Sequence, residues 1–290
     1  MRKWALAIIV LAIAVLTLQP VMGLLQRSAI AEVIDIEATP LSAEPEASPF
    51  VAEPSPAVME TEAPEPVATA APEGPSPLDN EPVPRLDENV KLVALTFDDG
   101  PYAGVTDKIL DTVEQYSINN VHVTFFTLGI QVLKHPELIV RAQKLGCEIG
   151  NHTYGHKKLT KLPNDEMLAQ VQDLNEMIRE ITDEEPKLVR PPYGARDENV
   201  CATIRYPLIL WDIDTLDWST HDAAKTIEAA LKCQDGDIIL MHDVHEDTAE
   251  AAATIIPALL EQGFTLVTVS ELFEVKGITL EPGVAYRYAR

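Results

Sequence analysis

Lys91-Leu92-Val93-Ala94-Leu95-Thr96-Phe97-Asp98-Asp99-Gly100-Pro101 passes from an unbroken apolar run directly into two carboxylates and a Gly-Pro turn. A short apolar run bounded by turn residues fits a strand buried on both faces, as in a parallel sheet. The pattern around it repeats. Strands are expected at Lys91–Phe97, Val121–Thr127, Glu148–Asn151, Leu188–Arg190, Leu208–Asp212, Asp237–Met241 and Thr265–Val269. Helices are expected between them near Val105–Tyr116, Pro136–Leu145, Asn164–Ile181, Glu198–Ile204, Ala223–Leu231 and Ala249–Glu261. Pro136 at a first turn and Gly146 just past an end mark one of these helices on both sides. Strand–helix alternation builds a parallel sheet, and seven repeats suggest closure into a barrel, with an open doubly wound sheet as the alternative. Asp98, Asp99, His152, His156, Arg190, Asp214, Asp217 and His242 all follow strand ends. In a parallel α/β barrel those positions open onto one face.

The 202 residues from 89 onward carry that pattern; the rest of the 290-residue chain reads differently. From Glu32 to Glu88 the chain is Pro-, Glu- and Ala-rich, with twelve prolines between Pro40 and Pro84. Such composition buries too little apolar surface to offset backbone ordering, so a disordered N-terminal tether is expected there, about 175 Å long if fully extended. Residues 1–31 read as a signal peptide or membrane anchor. Arg2 and Lys3 precede the uncharged run Trp4–Leu18, and Ala29-Ile30-Ala31 has the small-x-small form of a cleavage site. Trp4–Leu25 is also long enough to cross a bilayer, with the basic start holding that end inside. The expected location is therefore extracytoplasmic, anchored to the membrane or secreted into the cell wall, with anchoring the favoured form because the small-x-small site lies far from the apolar run.

The formal net charge is −24, from 46 acidic and 22 basic residues. A basic face is what phosphate binding requires, so nucleic acid is not an expected partner. The cysteines Cys147, Cys201 and Cys233 form no Cys-x-x-Cys pair and no framework. They read as small buried hydrophobes, with a Cys201–Cys233 bridge as a minor alternative.

The strand-end residues fall into chemically suggestive groups. Asp98 and Asp99 are adjacent at a strand end, where neighbouring side chains point apart, so one can ligate a metal while the other faces the attacking water. Asp-Asp-Gly also makes ordinary turns. His152 and His156 are four residues apart, which one helical turn would bring to the same side; with one Asp they supply an open three-ligand site suited to zinc. Arg190-Pro191-Pro192-Tyr193-Gly194 is an extended segment that can aim an Arg at a carboxylate and a backbone N–H at a developing oxyanion. A buried Asp beside His242 would raise the imidazole pKa and keep it protonated as a general acid. Together these are the parts of a metal-assisted hydrolase.

The same residues resemble the polysaccharide deacetylases of the NodB-homology type, carbohydrate esterase family 4. Thr96–Gly100, His152–His156, Arg190–Gly194, Asp214–Trp218 and Leu240–His242 look like that family's five motifs, in order, across about 91–275. Thr124-Phe125-Phe126, Leu159-Thr160 and Val267-Thr268-Val269 are similar to secondary ones. The resemblance implies a distorted (β/α)7 barrel over 89–290 holding one divalent metal, zinc or else cobalt, on Asp99, His152 and His156. It implies Asp98 as general base held by Arg190, and His242 as general acid tuned by Asp217. It further implies the Tyr193 backbone N–H at the oxyanion, with Trp218 and Leu240 lining an acetyl pocket. Within the family the chain looks most like the peptidoglycan N-acetylglucosamine deacetylases, because its third and fourth motifs are intact. The implied partner is an acetylated polysaccharide, peptidoglycan or chitin-like. Chitooligosaccharide deacetylation, acetyl-xylan esterase activity and an inactive wall-binding module are the competing readings. The three cysteines and His122 depart from the pattern without removing a motif residue.

Overall fold

The computed structural model describes residues 90–290. The leader or anchor expected at 1–31 and the tether expected at 32–88 lie outside the described residues. Among the described residues no helix is long and apolar enough to cross a membrane.

Strand β1 (Lys91–Asp98) is the centre of a parallel sheet. Its Thr96–Asp98 half pairs with β2 (Thr124–Thr127), which pairs in turn with β3 (Glu148–Asn151). On its other side β1 pairs along most of its length with β6 (Asp237–His242), which pairs with β5 (Ile213–Asp214). Strand β7 (Phe264–Leu266) takes the Lys91–Val93 half of β1 that β2 leaves free. The run is apolar throughout because both faces of β1 are covered. Val93, Leu95 and Phe97 pack in the cluster holding Ile109, Val113, Ile255 and Ile256 of the outer helices. Leu92 and Ala94 point the other way, into a cluster with Phe126, Leu188, Ile209 and Ile238. Alternation then carries Thr96 and Asp98 onto that same inner side at the C-terminal end of the strand.

The wall continues beyond β3 by single bridges, Asn151 to Val189 and Val189 to Leu208. The expected strand at Leu188–Arg190 is reduced to that one position, since Pro186, Pro191 and Pro192 around it have no N–H to donate. Of the expected strand at Leu208–Asp212 only the first two residues are strand, and a second short piece follows the stretch at Ile213–Asp214. β4 (Leu208–Ile209) belongs to the Val189 side and β5 to the β6 side, so the stretch between them carries the wall across the seam. The unforeseen β8 (Ala285–Tyr286) pairs with β4 there, and Arg287 Nε donates to Trp211 O. These interruptions make the barrel a distorted one.

Outside the sheet lie α1 (Thr106–Gln115), α2 (Pro136–Lys144), α3 (Asn164–Thr182), α4 (Glu198–Ile204), α5 (Ala223–Ala230), α6 (Glu246–Glu261) and α7 (Val269–Val275). Asp197 caps α4 and Asp222 caps α5 through their side chains. The strand expected at Thr265–Val269 stops at Leu266 because Thr268 and Glu271 form a capping box that starts α7.

Candidate metal centre and active site

At the C-terminal end of β1 the two carboxylates take different environments. Asp98 completes the strand and is buried; Asp99 turns away with φ 77°. Asp98 Oδ1 accepts from Arg190 Nη1 at 2.7 Å. Arg190 is wholly buried, its guanidinium 4.1 Å above the Phe126 ring. It also donates to Thr96 Oγ1 at 2.7 Å and to the carbonyls of Ile209 and Leu210. Burial lifts Asp98 above the ordinary carboxylate value, and the Arg190 charge limits that rise.

His152 and His156 follow β3 in a loop, not in the helical turn that their spacing suggested. Thr153 (φ 75°) and His156 (φ 56°) are left-handed, and outside groups hold the loop in this shape. Asn151 Oδ1 accepts from Thr153 N–H at 2.7 Å, while Asn151 Nδ2 donates to Val171 O and Asn175 Oδ1 on α3. Gln170, also on α3, accepts from Gly155 N–H with its side chain and from Tyr154 N–H with its carbonyl.

One ligand atom each from Asp99, His152 and His156 lie within 4.8 Å of one another. Both Nε2 atoms face Asp99 Oδ1, at 3.5 and 3.4 Å. His152 Nδ1 donates to Arg190 O at 2.7 Å, which leaves its Nε2 lone pair toward the triad. Burial pushes the His152 imidazole down to about 3, so it is neutral, as a ligand must be. Asp99 Oδ1 is buried and has no hydrogen-bond partner. Two imidazole nitrogens converging on an orphaned carboxylate oxygen suit a divalent transition metal. Asp98 Oδ2 lies 3.6 Å from His152 Nε2, beside this position.

Across from the triad, β6 ends in His242, in register with Asp98. Its Nδ1 contacts Asp217 Oδ1 at 2.9 Å, while Asp217 Oδ2 accepts from His242 N–H and from Thr248 Oγ1. Burial opposes a charge on His242, but the Asp217 hydrogen bond and the charges of Asp217, Asp98 and Asp99 outweigh it and push the imidazole up to about 9. Burial would raise Asp217 as well; its bonds to His242 and Thr248 hold it below the usual value.

The remaining expected residues rim this site. Tyr193 is exposed at φ 62°, its ring 4.7 Å from that of His156. Trp218 is half-exposed on the helical turn after β5, and Leu240 is buried in β6. The Asp214 carboxylate is engaged by its own loop, accepting from Leu216 N–H. The three cysteines are free thiols. Cys201 and Cys233 belong to different apolar clusters, so the considered bridge is absent. The sequence assigns no role to Asn151, Gln170 and Asp243, which touch the site through backbone groups; for Asn151 and Asp243 the available signal is a polar residue directly beside a site His, while Gln170 carries none.

The family model for polysaccharide deacetylase matches residues 85–206. A peptidoglycan-N-acetylglucosamine deacetylase of Bacillus cereus is 35% identical over 197 residues, 65% of this chain and 91% of that protein. This chain belongs to the polysaccharide deacetylase family. Another family relative, the peptidoglycan-N-acetylmuramic acid deacetylase of Bacillus subtilis, is 41% identical over 192 residues, 66% of this chain. The chain spans only 40% of that protein's length. Among solved structures, a family 4 acetyl xylan esterase of Clostridium thermocellum in complex with a cobalt ion superimposes with a TM-score of 0.65 at 32% identity, over 68% of this chain and 98% of that one.

Proposed function

We propose that the protein is a metal-dependent hydrolase that removes acetyl groups from N-acetylglucosamine residues of peptidoglycan, releasing acetate. The observation that carries the reading is the orphaned Asp99 oxygen between two imidazoles, flanked by an Arg-held carboxylate and an Asp-held imidazolium. Asp99, His152 and His156 would hold one divalent cation, zinc by its donor set or else cobalt. When bound, the cation supplies Lewis acidity to the acetyl carbonyl and to water.

Around it, the chain's own groups divide the proton work. Arg190 occupies one Asp98 oxygen and leaves the other to take a proton from the attacking water. His242, charged through Asp217, gives its Nε2 proton to the departing glucosamine nitrogen, so the leaving group is an amine and not an amide anion. The Tyr193 backbone N–H stabilises the developing oxyanion, while Trp218 and Leu240 wall the acetyl methyl. Work on a wall glycan places the enzyme outside the cytoplasmic membrane, anchored by residues 1–31 or released there, with 32–88 as tether. The leader pattern and the peptidoglycan-directed relatives support that placement.

A second reading, deacetylation of N-acetylmuramic acid, is favoured by the similarity to the Bacillus subtilis relative. Metal-stripped full-length protein, reloaded with zinc or cobalt, is to be offered peptidoglycan strands and N-acetylglucosamine oligomers. Metal-dependent acetyl loss, assigned to one sugar by tandem mass spectrometry after muramidase digestion, tests both readings. No loss from either substrate by metal-loaded protein refutes them together.

A further inference from the structure

Asp243 directly follows His242 at the end of β6 and is 1% exposed. Both of its carboxylate oxygens are engaged on the far side of the β1 turn. Oδ1 accepts from Gly100 N–H at 3.0 Å, and Oδ2 accepts from Thr106 Oγ1 at 2.6 Å. The Thr106 hydroxyl in turn accepts from Tyr102 N–H at 2.8 Å, and Asp243 N–H donates to Asp98 O at 3.2 Å. One buried residue thus fastens both ends of the turn that carries Asp99, its backbone N–H at Asp98 and its carboxylate at Gly100 and, through Thr106, at Tyr102. The fit is close. A Cβ on Gly100 would fall 2.0 Å from Asp243 Oδ2, so the approach requires glycine there. The turn needs an external brace because Asp99 sits at φ 77°, where a non-glycine residue persists only if its surroundings hold it.

We infer that Asp243 is a positioning residue for cation binding, fixing the Asp99–Gly100 peptide so that the free Asp99 oxygen stays within reach of His152 and His156. The inference rests on the metal reading of the triad given above. It joins two halves of the site mechanically: the strand bearing the acid, His242, also carries the brace for a metal ligand. Without the carboxylate, Gly100 N–H loses its acceptor and the Asp99 peptide is free to rotate toward a less strained conformation. An amide at 243 keeps an oxygen for Gly100 N–H, and the Thr106 hydroxyl can then turn to Asp243 O, 3.4 Å away.

The test is zinc affinity of the full-length, metal-stripped chain, measured by competition with a chromophoric chelator. Asp243→Ala is expected to weaken binding by about 10–100-fold and Asp243→Asn by no more than about threefold. Thr106→Val, a near-isosteric change that cuts the second fastening, is expected to weaken it in the same direction. Leu259→Ala, a core truncation in α6, serves as a control for lost stability and is expected to bind as the wild type does. Wild-type affinity in Asp243→Ala or in Thr106→Val overturns the inference. So does an Asp243→Asn variant as weak as the alanine, or a Leu259→Ala variant equally weakened. If the wild type binds no zinc, the metal reading of the triad falls as well, which distinguishes that failure from the inference failing alone.

Discussion

Asp217→Asn removes a charge without changing the size of the side chain, and its effect on pH dependence can be worked from the contacts. All three groups bonded to Asp217 are donors: His242 Nδ1–H, His242 N–H and Thr248 Oγ1–H. An amide has one accepting oxygen, so its NH2 must face a donor, or the His242 ring must turn its lone pair to Nδ1. Either way the imidazolium loses its support. Moving an imidazole from 6.5 to about 9 corresponds to about 3 kcal/mol favouring the charged form. A cation on the triad cancels part of the Asp99 contribution, so the wild-type alkaline limb is expected at or somewhat below 9. Loss of a contacting opposite charge lowers such a pKa by about 1–3 units. With a drop of two, from 9 to 7, the protonated fraction at pH 8 falls about tenfold. The linkage has a definite sign: because the folded pKa is raised, this stabilisation is full below about 6.5 and is lost as pH rises through about 9. The Tm gap between wild type and variant should therefore narrow across that window. The assay is the kcat–pH profile for acetate release by metal-loaded protein, with Tm followed at each pH. An alkaline limb that stays in place in Asp217→Asn would refute the assignment of His242 as an acid tuned by Asp217.

Asp98→Asn should lower kcat by about 10²–10⁴-fold while zinc affinity stays close to wild type, since only the base is removed; substantial residual turnover would sink that role. Arg190→Met leaves Asp98 buried and unpaired and should cost about 3–5 kcal/mol in urea unfolding, the range for stripping one partner from a buried ion pair. A loss under about 1 kcal/mol would mean the pair is not held as described. Chelation should abolish acetate release, and zinc added back at 100 times its Kd should stabilise the fold by about 2.7 kcal/mol. A Tm that zinc does not move would count against the triad as a metal site.

Much of the architecture was readable because local signals agreed with the global fold. Helix α4 was expected at Glu198–Ile204 and is found there, since Asp197 caps it from its own side chain. The apolar run of β1 was legible because both of its faces are covered. Elsewhere the deciding partner is remote in sequence. The His152–His156 spacing permits a helical turn, but Asn151 and Gln170 supply bonds that favour a left-handed loop, and Gln170 lies on another element. Leu208–Asp212 has a strand's composition, yet Leu208 bridges to Val189 while the Asp212 N–H donates to Ile238 O on the other side of the seam. No local signal marked β8, which exists because β4 needs a neighbour.

By itself the sequence determined the chemical inventory and its order: two adjacent carboxylates, two spaced imidazoles, an Arg before two prolines, and a last histidine, each after an apolar segment. Residue chemistry alone could not say which of Asp98 and Asp99 stays free, because the two are chemically identical neighbours; only the family resemblance told them apart. Tertiary structure decided that. Strand alternation turns Asp98 toward the barrel interior, where buried Arg190 claims one of its oxygens, while the turn braced by Asp243 swings Asp99 out between the imidazoles with an oxygen unpaired. A buried charge requires a partner, and only the folded barrel brings one to Asp98 from 92 residues away.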